Sequence, residues 1–175
     1  MHKLQKILLA FLLSSFMTSV YAVENTPAQP QMSFTDTTGK TYQVEGTEQG
    51  LNIKGLEGKV VFLEFFGHKC PPCLASIPHL IKLQKKYKNK LAIVAVEVQG
   101  YNNSQLQKFA KQKGMNYIVV SDEKATGIVD YISARAQWQG SIPFLVAMDK
   151  KGDVQFVQAG MLPESSLEEL IKQLD

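Results

Sequence analysis

At 175 residues the chain suits one compact domain once any targeting segment is set aside, and 45% apolar with 20% charged residues is the composition of a globular protein. That excludes a collagen, a low-complexity chain and a disordered acidic tail. Charge excludes a general nucleic-acid binder: the 19 Lys+Arg, less Lys3 and Lys6 of the leader described next, come to 17 against 16 Asp+Glu.

Residues 1–22 carry a short basic start (His2, Lys3, Lys6), an apolar run from Ile7 to Met17, and Val20-Tyr21-Ala22 ending on a small residue. This is the layout of a cleavable secretory signal. A retained membrane anchor is the competing reading, but the apolar run is short for a span and Ser14 and Ser15 interrupt it. No cysteine near Ala22 could take a lipid. Residues 23–31, with Pro27 and Pro30, read as a linker, which leaves 32–175 as the folded domain. The expected location is the periplasm or an equivalent exported compartment.

Ser33–Thr35 and Thr41–Val44 flank the turn-rich Asp36–Lys40 and predict a hairpin. Val60–Phe66 is apolar except for Glu64, as in a strand buried on both faces. Leu74, Ile77, Leu80 and Ile81 recur at helical spacing, predicting a helix to about Lys88. Lys82, Lys85, Lys86, Lys88 and Lys90 near its end suit the helix dipole and read as a solvated face, with a docking patch as the alternative. Leu91–Val98 is a second apolar strand. Ser104 is a candidate cap for a helix running to Gly114, Tyr117–Val120 a strand, and Ala125–Tyr131 a short helix. Phe144–Met148 and Val154–Gln158 flank a turn at 149–153. Pro163 starts a last helix with Leu167, Leu170, Ile171 and Leu174 on one face. Alternating strands and helices that end in a hairpin and a helix predict an α/β sandwich of three layers, with the strands around the central helix parallel.

The only two cysteines, Cys70 and Cys73, lie where that first long strand gives way to a helix. So short a loop staples little together, so the pair is expected to be there for its reactivity. A helix N-terminus favours thiolate, which makes Cys70 the expected exposed nucleophile and Cys73, one turn in, the buried resolving thiol. Pro71 and Pro72 have no N–H to offer the Cys70 sulfur, which points to a less oxidising couple. Lys69 and His68 would tune it the other way if they faced the sulfur, and nothing visible in the sequence holds either. Zinc would need about four ligands, and His68 and His79 are the only other soft candidates after residue 22. A c-type haem would need histidine where Leu74 stands. No metal and no cofactor is expected. His79 reads as an ordinary helix residue, and Trp138 packs either beside the site or in the core.

Glu64 falls among buried positions, where an ionised carboxylate is costly and its pKa should rise. Such a group near Cys73 could take that thiol's proton. A pairing with Lys59 or Lys90 is the alternative.

Glu64-Phe65-Phe66-Gly67-His68-Lys69-Cys70-Pro71-Pro72-Cys73 resembles the acid-Phe-Trp-x-x-x-Cys-x-x-Cys pattern of the thioredoxin superfamily, and within it the exported TlpA/ResA/CcmG-like disulfide reductases. Pro78 matches the proline of that family's active-site helix, Ser141-Ile142-Pro143-Phe144 its cis-proline loop, and 149–153 and Gly160 its later turns. Ser104–Val120 matches the extra helix–strand unit of the TlpA-like branch, and an N-terminal hairpin is usual there. Lys69 and Phe66 stand where the family has an aromatic and a Trp, and Ser76 where many members have an acid. The resemblance implies a thioredoxin-like fold with a central mixed sheet, Glu64 as acid–base group, and Ile142 with cis-Pro143 contacting a bound chain beside Pro71 and Pro72. It also implies protein disulfide substrates, apocytochrome c foremost, a membrane thiol donor, and a monomer.

Overall fold

The computed structural model describes residues 30–125 and 127–175; the expected signal segment and nearly all of the expected linker lie outside them. Two strands, β1 (Gln31–Thr35) and β2 (Thr41–Gly46), form the expected antiparallel hairpin. Its turn is set by Asp36, whose Oδ1 accepts from the Thr38 and Lys40 N–H groups and the Thr38 hydroxyl. β1 starts at Gln31 rather than Ser33. A third strand, β3 (Leu51–Ile53), unforeseen in the sequence, joins the other edge of β2.

The main sheet contains β4 (Val60–Phe66), β5 (Leu91–Glu97), β6 (Ile118–Ser121), β7 (Phe144–Met148) and β8 (Val154–Ala159), in the order β6-β5-β4-β7-β8. β4, β5 and β6 are parallel, and β7 and β8 run antiparallel to them. Every residue of β4, β5 and β7 is buried, as their continuous apolar runs require.

One face of this sheet packs Val61, Leu63 and Phe65 against the N-terminal strands and α3 (Ile128–Ala136). The other packs Val60 and Phe62 against α1 (Pro71–Lys86) and α4 (Glu164–Leu174) through Leu80, Leu83, Leu167 and Ile171. α2 (Asn103–Lys113) closes that second face near Phe66 through Leu106 and Ala110. The result is the expected three-layer mixed sandwich, with α2 and β6 as the additional unit.

Three helix starts differ from expectation. The cap of α2 is Asn102, not Ser104: Asn102 accepts from Gln105 N–H while the Gln105 side chain accepts from Asn102 N–H. Asn102→Ala should cost about 1 kcal/mol, read as a Tm lower by roughly 3 °C in thermal unfolding. α3 lies later than 125–131, because 122–124 form a 3₁₀ turn and Gly127 takes φ 79° at the helix start. Pro163 is the cap of α4, not its first residue. The lysine run is exposed throughout, as a solvated face, while Lys82 and Lys86 pair with Glu164 and Glu168 at 3.1 and 2.5 Å and Lys90 pairs with Asp175. These three pairs bridge α1 and the loop after it to α4 along the rim of the apolar contact, and the Lys86 and Tyr87 hydrogen bonds hold the Glu168 carboxyl down at about 2.

Candidate active site

β4 delivers the chain to the carboxyl end of the parallel strands, where α1 begins. Cys70 is the residue that caps α1, and Pro71 and Pro72 fill the first two helical positions. Neither proline has an N–H, so the first amide able to reach the Cys70 sulfur is that of Cys73, which donates to it at 3.3 Å. The two cysteines form a disulfide, with Cα atoms 5.2 Å apart. Pro78 sits inside the helix, as the sequence indicated.

The expected contrast in exposure is weaker than predicted. Cys73 is fully buried, but Cys70 is itself only 6% exposed, because Phe66, Tyr101 and Ile142 share its cluster. The Cys70 sulfur lies 3.8 Å from the Ile142 carbonyl oxygen. The Ile142–Pro143 bond is cis, Pro143 is buried and Ile142 half-buried, while Pro71, Pro72 and Lys69 are exposed. The structure thus brings Ile142 and Pro143 to the disulfide from a loop more than seventy residues away. Trp138 braces that loop: its indole N–H donates to Ser141 O at 2.7 Å and its ring stacks on Phe65.

Glu64 shares the α1-side face of β4 with Phe62 and lies in register between Ala95 and Leu145, with no lysine partner. Lys59 donates instead to the Lys88 carbonyl, and Lys90 pairs with Asp175. Burial pushes the Glu64 carboxyl up to about 7, and a hydrogen bond from Ser76 draws it partly back. The Ser76 hydroxyl is 3.2 Å from Glu64 Oε1 and 2.9 Å from the Cys73 carbonyl oxygen, so one side chain ties the acid to the backbone of Cys73. A cavity of about 20 Å³ adjoins Glu64, Ser76, Pro143, Gly160 and Met161, a volume that fits one water. A carboxyl half-ionised near neutrality and tied through Ser76 to the Cys73 backbone has the titration that acid–base chemistry at neutral pH calls for.

His68 is not unheld. Its ring Nδ1 lies 2.8 Å from Glu97 Oε1 and its ring stacks on Tyr101 with centroids 3.6 Å apart. Glu97, absent from the sequence-based candidates, has no exposed surface. Its signal was available: it is an acid ending an otherwise apolar strand, the same argument that singled out Glu64. Lys69 is exposed and is fixed only through its backbone N–H, which donates to Gln99 Oε1 at 2.8 Å. His79 differs from expectation, since its Nδ1 is buried without a hydrogen-bond partner. Among the described residues no group of three or more His, Cys, Asp or Glu could hold a metal ion, and no helix is long and apolar enough to cross a membrane.

The Redoxin family model matches residues 26–171. The thiol-disulfide oxidoreductase ResA of Halalkalibacterium halodurans is 31% identical over 127 residues, covering 71% of this chain and 67% of that protein. The thioredoxin-like protein YneN of Bacillus subtilis is 30% identical over 120 residues, 67% of this chain and 66% of its own. Among solved structures, a putative thiol:disulfide interchange protein DsbE from Chlorobium tepidum superposes with a TM-score of 0.62 at 23% identity, over 83% of this chain and 93% of that one. A cysteine pair at a strand-to-helix junction, a cis-proline loop against it and a family match across nearly the whole described domain agree: the chain belongs to the Redoxin family of the thioredoxin superfamily and is a ResA-like thiol–disulfide oxidoreductase.

Proposed function

We propose that the protein is an exported protein-disulfide reductase, with its 1–22 segment removed as a signal and 32–175 acting as a monomeric domain in the periplasm or an equivalent compartment. The reduced Cys70 thiolate attacks one sulfur of a substrate disulfide, forming a mixed disulfide and releasing one substrate thiolate. Cys73 then gives its proton to the Glu64 carboxylate and attacks the Cys70 sulfur. The Cys70–Cys73 disulfide forms, and the second substrate thiolate leaves. A membrane thiol donor returns the pair to the dithiol. Ile142 and Pro143, with the exposed Pro71 and Pro72, receive the substrate chain.

The observation that carries the direction is the capping of Cys70. With prolines at the first two helical positions, a single backbone N–H, that of Cys73, reaches its sulfur. Little stabilisation of the Cys70 thiolate means a couple that favours giving electrons. The favoured substrate is the Cys-x-x-Cys-His disulfide of apocytochrome c, in keeping with the resemblance to disulfide reductases. Equilibration with glutathione or dithiothreitol tests the direction: a potential near the roughly −270 mV of thioredoxin is expected, and one near the roughly −120 mV of a strong oxidant would make the protein an exported oxidase or isomerase instead. An oxidised Cys-x-x-Cys-His peptide should be reduced faster than glutathione disulfide; equal rates would remove the assigned substrate.

A further inference from the structure

The mechanism above leaves one buried acid without a role. Glu97 ends β5 in register with Phe66 and Ser121 and is fully enclosed. It accepts from four donors: His68 Nδ1 at 2.8 Å, Tyr101 N–H at 2.9 Å, Gln99 N–H at 3.0 Å and, more weakly, His68 N–H at 3.4 Å. Two of these donors belong to the segment that leads into Cys70, and two to the loop after β5.

Other contacts join the same two stretches. Val98 N–H donates to Phe66 O at 2.9 Å, and Gln99 Oε1 accepts from Lys69 N–H. The Gln99 side chain lies so close over Gly67 that a Cβ there would sit 2.2 Å from it, so a larger residue would push Gln99 off the Lys69 N–H. Tyr101 covers a face of the His68 ring. Phe66, His68 and Lys69 are therefore each hydrogen-bonded to 97–101, Gly67 lies under Gln99, and Cys70 follows directly. A carboxylate is suited to the centre of such a clasp, because it only accepts and every group around it donates.

We propose that Glu97 is a positioning residue for Cys70: through His68 and the Phe66–Lys69 segment it holds the sulfur at the start of α1, and so sets how readily the Cys70 thiolate forms. The proposal needs only the thiol chemistry shown by the family, and depends on neither the redox direction nor the substrate proposed above.

The test uses the full chain with the pair reduced. Two readouts are the rate of Cys70 alkylation by iodoacetamide at pH 7 and the equilibrium with glutathione. Glu97→Gln keeps the shape but puts an NH₂ group where a second acceptor is needed. His68→Phe keeps an aromatic ring on Tyr101 and removes only the donor to Glu97. Freed from the clasp, the cap residue leaves the Cys73 N–H more often, so the thiolate loses stabilisation.

Each single variant should alkylate Cys70 at least about threefold more slowly and make the disulfide at least about threefold harder to reduce with glutathione. The double variant should be slower than the slower single by no more than about 1.5-fold, because both changes break one linkage. Single variants within about 1.5-fold of the parent, or effects that multiply in the double, would overturn the proposal. If Glu97→Gln fails to fold, the alkylation rate and glutathione equilibrium of His68→Phe alone decide it by the same thresholds.

Discussion

At pH 8 the Glu64→Gln variant is expected to be about 3 kcal/mol more stable than the parent disulfide form, roughly 10 °C in Tm, and at least about tenfold slower in disulfide exchange. The stability arm follows from burial. In the folded chain the Glu64 carboxyl titrates at about 7 against an ordinary 4.5. Between those values the folded state holds a proton that the unfolded state has lost, so stability falls as pH rises across that window. Below about 4.5 both states are protonated and the penalty is absent; above about 7 it is complete. Glutamine fills the same space, can keep its contact with Ser76, and never ionises. The two proteins should therefore have similar stability at pH 4.5, diverge steadily to about pH 7 and keep a nearly constant gap from there to pH 8, as read by denaturant unfolding along a pH series. A constant difference across the series would show that Glu64 is not the titrating group.

The kinetic arm has the same origin. The ionised carboxylate that destabilises the fold is the form able to take the Cys73 proton, so the parent's resolution rate should climb through about pH 7. Glu64→Gln should lose that inflection and retain only the rise due to thiol ionisation itself. Stability surrendered at a site that needs a poised group is the familiar trade between stability and activity. Stopped-flow exchange that keeps its inflection near pH 7 in the variant would assign the proton transfer elsewhere.

What the sequence made legible follows the reach of each signal. β4, β5 and β7 stand out as runs of apolar residues too long for a surface strand, and the cysteine pair is placed by the junction of such a run with helical spacing. β3 was invisible because three residues carry no period, and its position is set by pairing with β2 and by a Gly152 carbonyl that accepts from Leu51 N–H. Asn102 and Ser104 both suit a cap, and only the reciprocal bond to Gln105 separates them. For Glu64, local reasoning sufficed, because burial alone raises its pKa. For His68 it failed, because the partner lies 29 residues away on another strand. Ser76 is a third case: it departs from the family pattern in the sequence, but its contact with Glu64 needs β4 and α1 packed together.

Cys73→Ser is expected to stop the reaction after one half-turn, with close to one substrate per chain held on Cys70. In the parent, the two cysteines lie 5.2 Å apart at their Cα atoms, so the second attack is intramolecular and competes against no free thiol. Well-oriented intramolecular reactions correspond to effective concentrations of 10⁵ M and more, whereas an external thiol is present at about millimolar levels. Losing the resolving sulfur should therefore lengthen the life of the mixed disulfide by at least about a thousandfold. Cys70→Ser gives the opposite outcome. Cys73 is fully enclosed and cannot start an attack, so exchange should fall to the uncatalysed rate with nothing trapped. Mass spectrometry of each variant after incubation with an oxidised Cys-x-x-Cys-His peptide separates the cases: an adduct on Cys73→Ser and none on Cys70→Ser is the expected pattern. The reverse pattern would exchange the roles of the two sulfurs, because the trapped sulfur is the one that attacks first.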